Sequence, residues 1–191
     1  GKDSDKLRDS ISYLKSKGFR IIKPDINLSK NSFYVRNKDV IMPFTQVKGI
    51  SEDVAKKIIE VRDTGFKDIF DFAYKTKDFI NIDTFKILVK AGMFDSFMIN
   101  HHTLMENLES IMNYANLSDG TEIIKKPVLI EVNEYDEGIL RNDELEVYGM
   151  LISNHPSSKY KNVVKLCEIE KYLFKNVKCV VLVDRIRSIK T

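Results

Sequence analysis

One turn and the helix that follows it constrain this chain of 191 residues more than any other stretch. The turn is Val47-Lys48-Gly49-Ile50-Ser51, in which Gly49 lacks a Cβ and can adopt the positive φ of a tight turn. Ser51 can cap the helix through its hydroxyl. Four apolar residues then recur at helical spacing: Val54, Ala55, Ile58 and Ile59. The sequence therefore predicts a glycine turn that leads into a helix with one buried face.

This pattern is typical of a helix-hairpin-helix, a motif that contacts nucleic-acid backbones. The first turn of a helix has N–H groups without internal partners and a partial positive charge, so it can hold a phosphate oxygen. Lysines on the exposed face add positive charge. The residues expected to contact DNA are Lys48, Gly49, Ile50, Ser51, Lys56 and Lys57.

The same residues also fit an ordinary turn and a capped surface helix whose lysines only keep it soluble. Ser51 stands where such hairpins usually have a second glycine, and Glu52 and Asp53 place negative charge beside the expected phosphate. Both acids favour the helix dipole but repel DNA. The turn by itself leaves both interpretations open.

The composition is that of a soluble globular protein, with 43% hydrophobic residues and a net charge of +3 from 31 basic and 28 acidic residues. That charge is too small for a globally basic surface, so any DNA contact has to be local. The sequence has no apolar run long enough to cross a bilayer and no signal peptide, which predicts a cytoplasmic location and no membrane partner. Cys167 and Cys179 lack a CxxC partner and are expected to be reduced, buried thiols.

The predicted fold class is mainly α with small β elements (α+β), in which a helix-hairpin-helix domain is flanked by a small N-terminal sheet and a truncated OB-fold strand. A helix over residues 5–17 precedes a short β-prone run at residues 19–23. Two apolar segments then flank the polar residues 36–39, as in a β-hairpin. The aromatic cluster at residues 66–74 has a helical spacing that suits a core better than base stacking.

Later helices are expected near residues 80–92, after Asn100 as an N-cap, and over residues 143–150. Residues 116–140 are interpreted as a connecting segment in which Val128-Leu129-Ile130 forms a buried strand. Apolar residues alternate over residues 177–187, as in a β-strand. Because a single strand cannot form a domain, the chain is expected to be a fragment of a longer protein.

Five stretches, taken in order, resemble the region after the catalytic core of the bacterial DNA polymerase III alpha subunit, a C-family replicative polymerase, in the type without a built-in exonuclease. They are residues 15–29, Phe33, residues 47–50, residues 91–95 and residues 148–156. The resemblance implies the end of the fingers, a helix plus a small β element, at residues 1–45. It implies a helix-hairpin-helix DNA-binding domain at residues 46–116, a linker with short helices at residues 117–176, and the first strand of a truncated OB-fold at residues 177–191.

The resemblance also implies a parent protein that is a DNA-directed DNA polymerase, a nucleotidyltransferase of DNA replication that uses Mg²⁺ held by carboxylates. The family keeps those carboxylates in a palm domain outside this region. The fragment is therefore expected to be inactive, with no catalytic residue, no metal site and no cofactor. Asp25, Asp71 and Asp95 are predicted to cap turns or helices, while His101 and His102 are predicted to be solvated residues of a first helical turn.

The leading hypothesis is a non-catalytic polymerase fragment that binds the backbone of duplex DNA without sequence specificity. The alternative is a protein-interaction scaffold toward the sliding clamp or other replisome subunits, with little DNA binding of its own. The family carries a Gln-x-x-Leu-Phe-like clamp peptide in this region, whereas the only glutamine here is Gln46. A third interpretation is a repair glycosylase built around the hairpin, for which the sequence shows no convincing pocket.

Overall fold

Helices are the main regular elements of the structure. The computed structural model describes residues 2–118, 124–153, 163–164 and 166–180. The elements in chain order are α1 (Lys2–Ser16), β1 (Arg20–Ile22), β2 (Tyr34–Arg36), β3 (Asp39–Ile41), a 3-10 turn (Phe44–Gln46), α2 (Glu52–Arg62), α3 (Ile69–Thr76), α4 (Ile82–Lys90), a 3-10 turn (Asp95–Phe97), α5 (His101–Leu117), α6 (Glu137–Tyr148) and a 3-10 turn (Leu166–Tyr172). The predicted fold class, mainly α with small β elements, is confirmed. Of the helices described, none combines the length and the apolar character needed to cross a bilayer.

The chain divides into two compact units, residues 1–152 and residues 153–191. The domain boundaries predicted after residues 45 and 116 both fall inside the first unit, and they stay predictions. In the second unit the described residues 176–180 form no regular element, and the Val164 N–H donates to the Lys178 carbonyl at 2.9 Å. The rest of the predicted OB-fold strand lies outside the described residues, as does the side chain of Cys167, so the OB-fold also stays a prediction.

A small sheet in the order β1-β3-β2 follows α1. Strand β3 pairs in parallel with β1, where Ile21 faces Val40, and in antiparallel with β2, where Val35 faces Val40. Asn37 and Lys38 between the paired strands both have positive φ, which matches the right-handed twist of a two-residue hairpin. The predicted β-hairpin is therefore confirmed, and both Val40 and Ile41 on β3 are buried.

Polar N-caps begin the helices after α1, because a side-chain oxygen there satisfies a free backbone N–H. Ser51 Oγ accepts from the Val54 N–H at 3.2 Å, and Asn100 Oδ1 accepts from the Thr103 N–H at 2.7 Å. Both caps were predicted from the sequence and are confirmed. The other caps are Asp68, Asn81 and Asp136.

The core of the first unit is centred on aromatic rings from α3, α4 and the turn after α4. Phe72 is fully buried, and its ring centroid lies 5.1 Å from Phe66, 5.3 Å from Phe85 and 4.9 Å from Phe94. Interplanar angles of 80°, 70° and 64° are edge-to-face geometries, which the ring quadrupole favours. The prediction that this aromatic cluster is core, and not a base-stacking surface, is confirmed.

Two predictions for residues 116–150 are wrong. Helix α6 begins at Glu137, ahead of the predicted start at residue 143, because the Asp136 carboxylate caps the amides of Gly138 and Ile139. Gly138 lies in the first turn of α6, and because glycine has a low helix propensity, the sequence does not indicate this start. Val128-Leu129-Ile130 is not a buried strand, since the exposed fractions of Val128 and Ile130 are 93% and 68%.

The first turn of α5 binds a carboxylate from elsewhere in the chain. Glu134 accepts hydrogen bonds from the backbone N–H groups of His101 at 2.9 Å and His102 at 3.1 Å, and also from the Tyr135 N–H at 2.8 Å. Burial by itself would raise the pKa of Glu134, but these N–H donors outweigh it and hold the pKa below the ordinary 4.5. The α5 N-terminus is thereby tied to the segment before α6.

Replacing Glu134 with Gln should lower the stability of the first unit at neutral pH by about 1 kcal/mol, because a charged acceptor at a helix N-terminus is lost. A carboxyl group with a depressed folded-state pKa stabilises above its unfolded pKa, and this contribution disappears as pH falls through the folded pKa. The difference between wild type and Glu134→Gln should therefore vanish under acid conditions. Urea denaturation followed by circular dichroism across pH measures it, and a difference that persists below the folded pKa would contradict the assignment.

Candidate nucleic-acid interface

The glycine turn before α2 has the backbone geometry that the sequence predicts. Gly49 has φ +90°, which residues with a Cβ rarely adopt. A Cβ placed on Gly49 would lie 2.8 Å from Ile87 Cδ1 on α4, so space and φ both require glycine here. Val47 and Ile50 are buried on either side of the turn, while Lys48, Gly49 and Ser51 are exposed.

The turn offers some of its backbone N–H groups to solvent and uses others internally. The Lys48 N–H donates to the Val147 carbonyl at 2.8 Å, and the Ile50 N–H donates to the Val47 carbonyl at 3.1 Å. The N–H groups of Gly49 and Ser51 make no hydrogen bond to any residue that the structure describes. Of the three amides expected at Gly49 to Ser51, the structure therefore leaves the first and the last available, and it places Ile50 in the core.

The lysines around the turn are all engaged with protein groups to different degrees. Lys56 Nζ lies 3.3 Å from Glu52 Oε1, an ion pair in which both side chains are at least half exposed. Such a surface pair is weak, so a phosphate can compete for the ammonium group. Lys57 Nζ lies 5.8 Å from the centre of the Phe79 ring and has no carboxylate partner among the described residues. Lys57 is therefore the most available cation of the predicted set.

Lys48 is held against the end of α6, an arrangement that the sequence does not predict. Gly149 is the C-cap of α6, and a Cβ placed on it would lie 2.9 Å from Lys48 Nζ. The Lys48 ammonium group therefore lies against the C-terminal end of α6. A cation at a helix C-terminus is stabilised by the helix dipole. Together with the backbone bond to Val147, this contact fixes Lys48 to α6, which lies almost 100 residues later in the sequence. No local pattern signals such a pairing.

The same end of α6 also contacts the turn after α4. The Tyr148 hydroxyl donates to the Ala91 carbonyl at 2.6 Å, and burial holds the pKa of Tyr148 well above 10.0, so the group stays a donor. The turn after α4 contains Gly92, but its N–H groups are used internally: Gly92 donates to Val89 at 2.8 Å and Met93 to Leu88 at 3.1 Å. Of these two glycine turns, the one at Gly49 alone presents free amides at an exposed helix N-terminus.

Candidate metal ligands and histidines have structural roles. Asp25 caps a turn through the N–H groups of Asn27 and Leu28, and Asp71 accepts from the Lys67 N–H, which confirms the predicted capping. Asp95 instead contacts His101, whose Nε2 lies 2.9 Å from its carboxylate.

His101 is mostly buried, so the prediction that it is solvated is wrong. The physical reason is that the ring of His101 folds back onto Asp95 at the preceding 3-10 turn. Within the part of the chain that the structure describes, no three side chains of His, Cys, Asp or Glu converge as metal ligands.

Comparisons with known proteins agree with the geometry of the turn. Residues 18–104 match a family model described as a helix-hairpin-helix motif. The chain is 29% identical over 183 residues to the DNA polymerase III subunit alpha of Thermus aquaticus, covering 88% of this chain and 15% of that protein. It is 33% identical over 168 residues to that of Aquifex aeolicus, covering 86% of this chain and 14% of that protein.

The relative from Bacillus subtilis, also a DNA polymerase III subunit alpha, is 25% identical over 207 residues. That match covers 99% of this chain and 19% of the relative. The chain thus matches along most of its length but spans only between 14% and 19% of these three relatives.

Replacing Gly49 with Ala should destabilise the first unit by about 2 kcal/mol, through the strained φ and the overlap with Ile87 Cδ1. Gly18→Ala is the matched control, because Gly18 has φ +81° but no atom within 4 Å of its Cβ position. Adding Ile87→Val removes Cδ1 and should recover part of the loss in the Gly49→Ala background. Urea denaturation measures all four proteins, and equal losses for Gly49→Ala and Gly18→Ala would show that the Ile87 contact does not matter.

Proposed function

The chain belongs to the family of bacterial DNA polymerase III alpha subunits, and on this basis we propose that its glycine turn binds the backbone of duplex DNA. The observation that carries this proposal is the pair of free N–H groups at Gly49 and Ser51, at the exposed N-terminus of α2. Amides of this kind donate to phosphate oxygens and do not read base edges. The binding is therefore independent of DNA sequence.

Lys57 supplies a positive charge that has no carboxylate partner among the described residues, and Lys56 adds a second cation once its weak pair with Glu52 opens. Lys48 contributes by fixing the turn to α6, with its ammonium directed to the α6 C-terminus. Glu52 and Asp53 reduce the attraction for DNA because they lie in the same helical turn. This chain alone is therefore expected to bind DNA weakly. The longer protein would have further DNA contacts.

The whole protein in this proposal is a DNA-directed DNA polymerase of chromosome replication, which would place it in the cytoplasm. Its Mg²⁺ and catalytic carboxylates would belong to parts of the protein outside the described residues, and the chain itself would bind DNA without polymerising. This division is supported by the names of the relatives and by the small fraction of their length that the chain spans.

A second candidate function is a scaffold for protein partners such as the sliding clamp or other replisome subunits. One observation favours it: Glu52 and Asp53 occupy the first turn of α2, and Glu52 already pairs with Lys56. If this function is correct, the chain should show no measurable DNA binding even at low salt.

The salt dependence of DNA binding tests the proposal. Anisotropy titrations of a labelled duplex at several salt concentrations should give a slope of about −2 to −3 in log K against log salt, since each phosphate contact contributes about 0.9. Lys57→Glu should weaken binding and flatten the slope by about 1. Lys125→Glu makes the same charge change at an exposed lysine outside the hairpin and serves as the control. Equal losses for the two variants would mean that net charge, and not the hairpin, sets the affinity.

Substitutions at Ser51 isolate the contribution of its N–H group. Ser51 has φ −75°, which proline also adopts, so Ser51→Pro removes the amide hydrogen without changing φ. Because Ser51→Pro also loses the hydroxyl cap, Ser51→Ala is the matched control that loses the cap and keeps the N–H. DNA binding by Ser51→Pro should be about three- to tenfold weaker than binding by Ser51→Ala. Identical affinities would show that this amide does not contact phosphate.

A further inference from the structure

We propose that residues 128–136, here called the acidic segment, form a docking surface for an extended, positively charged peptide that pairs with the segment as an added β-strand. The acidic segment lies between α5 and α6 and is separate from the glycine turn. The proposal rests on the segment's backbone hydrogen bonds, its exposed apolar side chains and its charge.

The backbone of the acidic segment is bonded to α5 side chains at Ile130 and Val132, and the Asn133 carbonyl also lies 2.7 Å from His102 Nδ1. The Asn107 side-chain amide binds both the N–H and the carbonyl of Ile130, each at 2.9 Å. The Thr103 hydroxyl binds both the N–H and the carbonyl of Val132, each at 3.1 Å. In an extended chain, residues two apart direct these groups to the same side. The main-chain N–H and carbonyl groups of Ile130 and Val132 therefore face α5.

Leu129 and Glu131 alternate with these two residues, so their main-chain groups are directed to the opposite side. Leu129 and Glu131 make no main-chain hydrogen bond to any part of the chain that the structure describes. Alternate free N–H and carbonyl groups on one edge are what a partner strand requires. Because Asn107 and Thr103 already hold the segment in place, a partner does not have to order it, and preorganisation of this kind favours binding.

The side chains of residues 128–130 alternate between solvent and core. Leu129 packs against the core, whereas the exposed fractions of its neighbours Val128 and Ile130 are 93% and 68%. Two exposed β-branched residues on the same face form an apolar strip beside the free edge. An added strand would cover this strip with every second side chain.

The charge of the segment selects a basic partner. Residues 128–136 contain three acidic side chains and no basic one. Glu131, Glu134 and Asp136 line an open cleft of about 780 Å³ together with His102 and Tyr135, whose rings stack at 4.1 Å. Negative charge here repels nucleic acid and attracts lysine and arginine side chains. The partner is therefore an extended peptide with alternating apolar and basic residues.

A synthetic peptide of about ten residues with alternating lysine and valine tests this proposal, titrated by fluorescence anisotropy against the whole chain. Saturable binding that weakens with salt is expected, while a peptide with alternating glutamate and valine should not bind. A third peptide carries N-methyl groups on alternate residues, which block strand pairing and keep the charge. It should bind at least about tenfold more weakly. Equal binding of the methylated peptide, or no binding of the parent peptide at about 1 mM, would overturn the proposal.

Surface variants locate the binding to this segment. Val128→Lys combined with Ile130→Lys should weaken peptide binding at least about tenfold, and so should Glu131→Lys. Glu109→Lys is the matched control, because Glu109 is exposed on α5 two residues beyond Asn107, on the other side of the helix. The circular dichroism spectrum of these variants should match that of the wild type, and their DNA binding should not be weaker. This outcome separates the peptide proposal from the DNA proposal. A dimer of the chain that Ile130→Lys disrupts would overturn it, since the edge would then pair with a second copy.

Discussion

The packing of Phe72 against three other phenylalanine rings is the interaction on which the rest of the first unit depends. Its neighbours Phe66, Phe85 and Phe94 lie before α3, on α4 and in the turn after α4, so one buried ring joins three segments of the chain. Burying a ring of this size contributes several kcal/mol, or about half of the net stability of a small domain. Because α4 is fixed in this way, Ile87 is fixed too, and its methyl group closes the space beside Gly49.

Helix α6 then determines how the glycine turn is held. Its last two residues bond to two separate turns, Val147 to Lys48 at 2.8 Å and Tyr148 to Ala91 at 2.6 Å. Lys90 adds ion pairs to Glu146 at 2.6 Å and Asp143 at 3.6 Å. Burial raises the pKa of Asp143, while hydrogen bonding to Glu146 raises the pKa of Lys90, so the ammonium stays charged beside them. A segment that looks like the end of a linker is thus part of the support for the hairpin.

Charge and hydrogen bonding differ between the two surfaces that carry the proposals. The turn at Gly49 has free N–H donors and lysines, which suit an anion. The acidic segment has carboxylates and, at Leu129 and Glu131, free main-chain donors and acceptors. At the N-terminus of α5, Glu134 already accepts hydrogen bonds from two backbone N–H groups. The N-terminus of α2 has no such internal carboxylate from a distant segment among the described residues.

Local sequence determined most helices, the β-hairpin, the Ser51 and Asn100 caps and the aromatic core, because these follow from spacing and from side-chain oxygens that bond within three residues. It also determined that a tight turn at Gly49 would precede α2. Only the tertiary structure decided which amides of that turn remain free, that Ile50 is buried, and that residues 128–132 bond to α5 side chains instead of to a strand. The reason is that these outcomes depend on contacts between residues such as Lys48 and Val147, and no local pattern records which distant carbonyl or side chain will arrive.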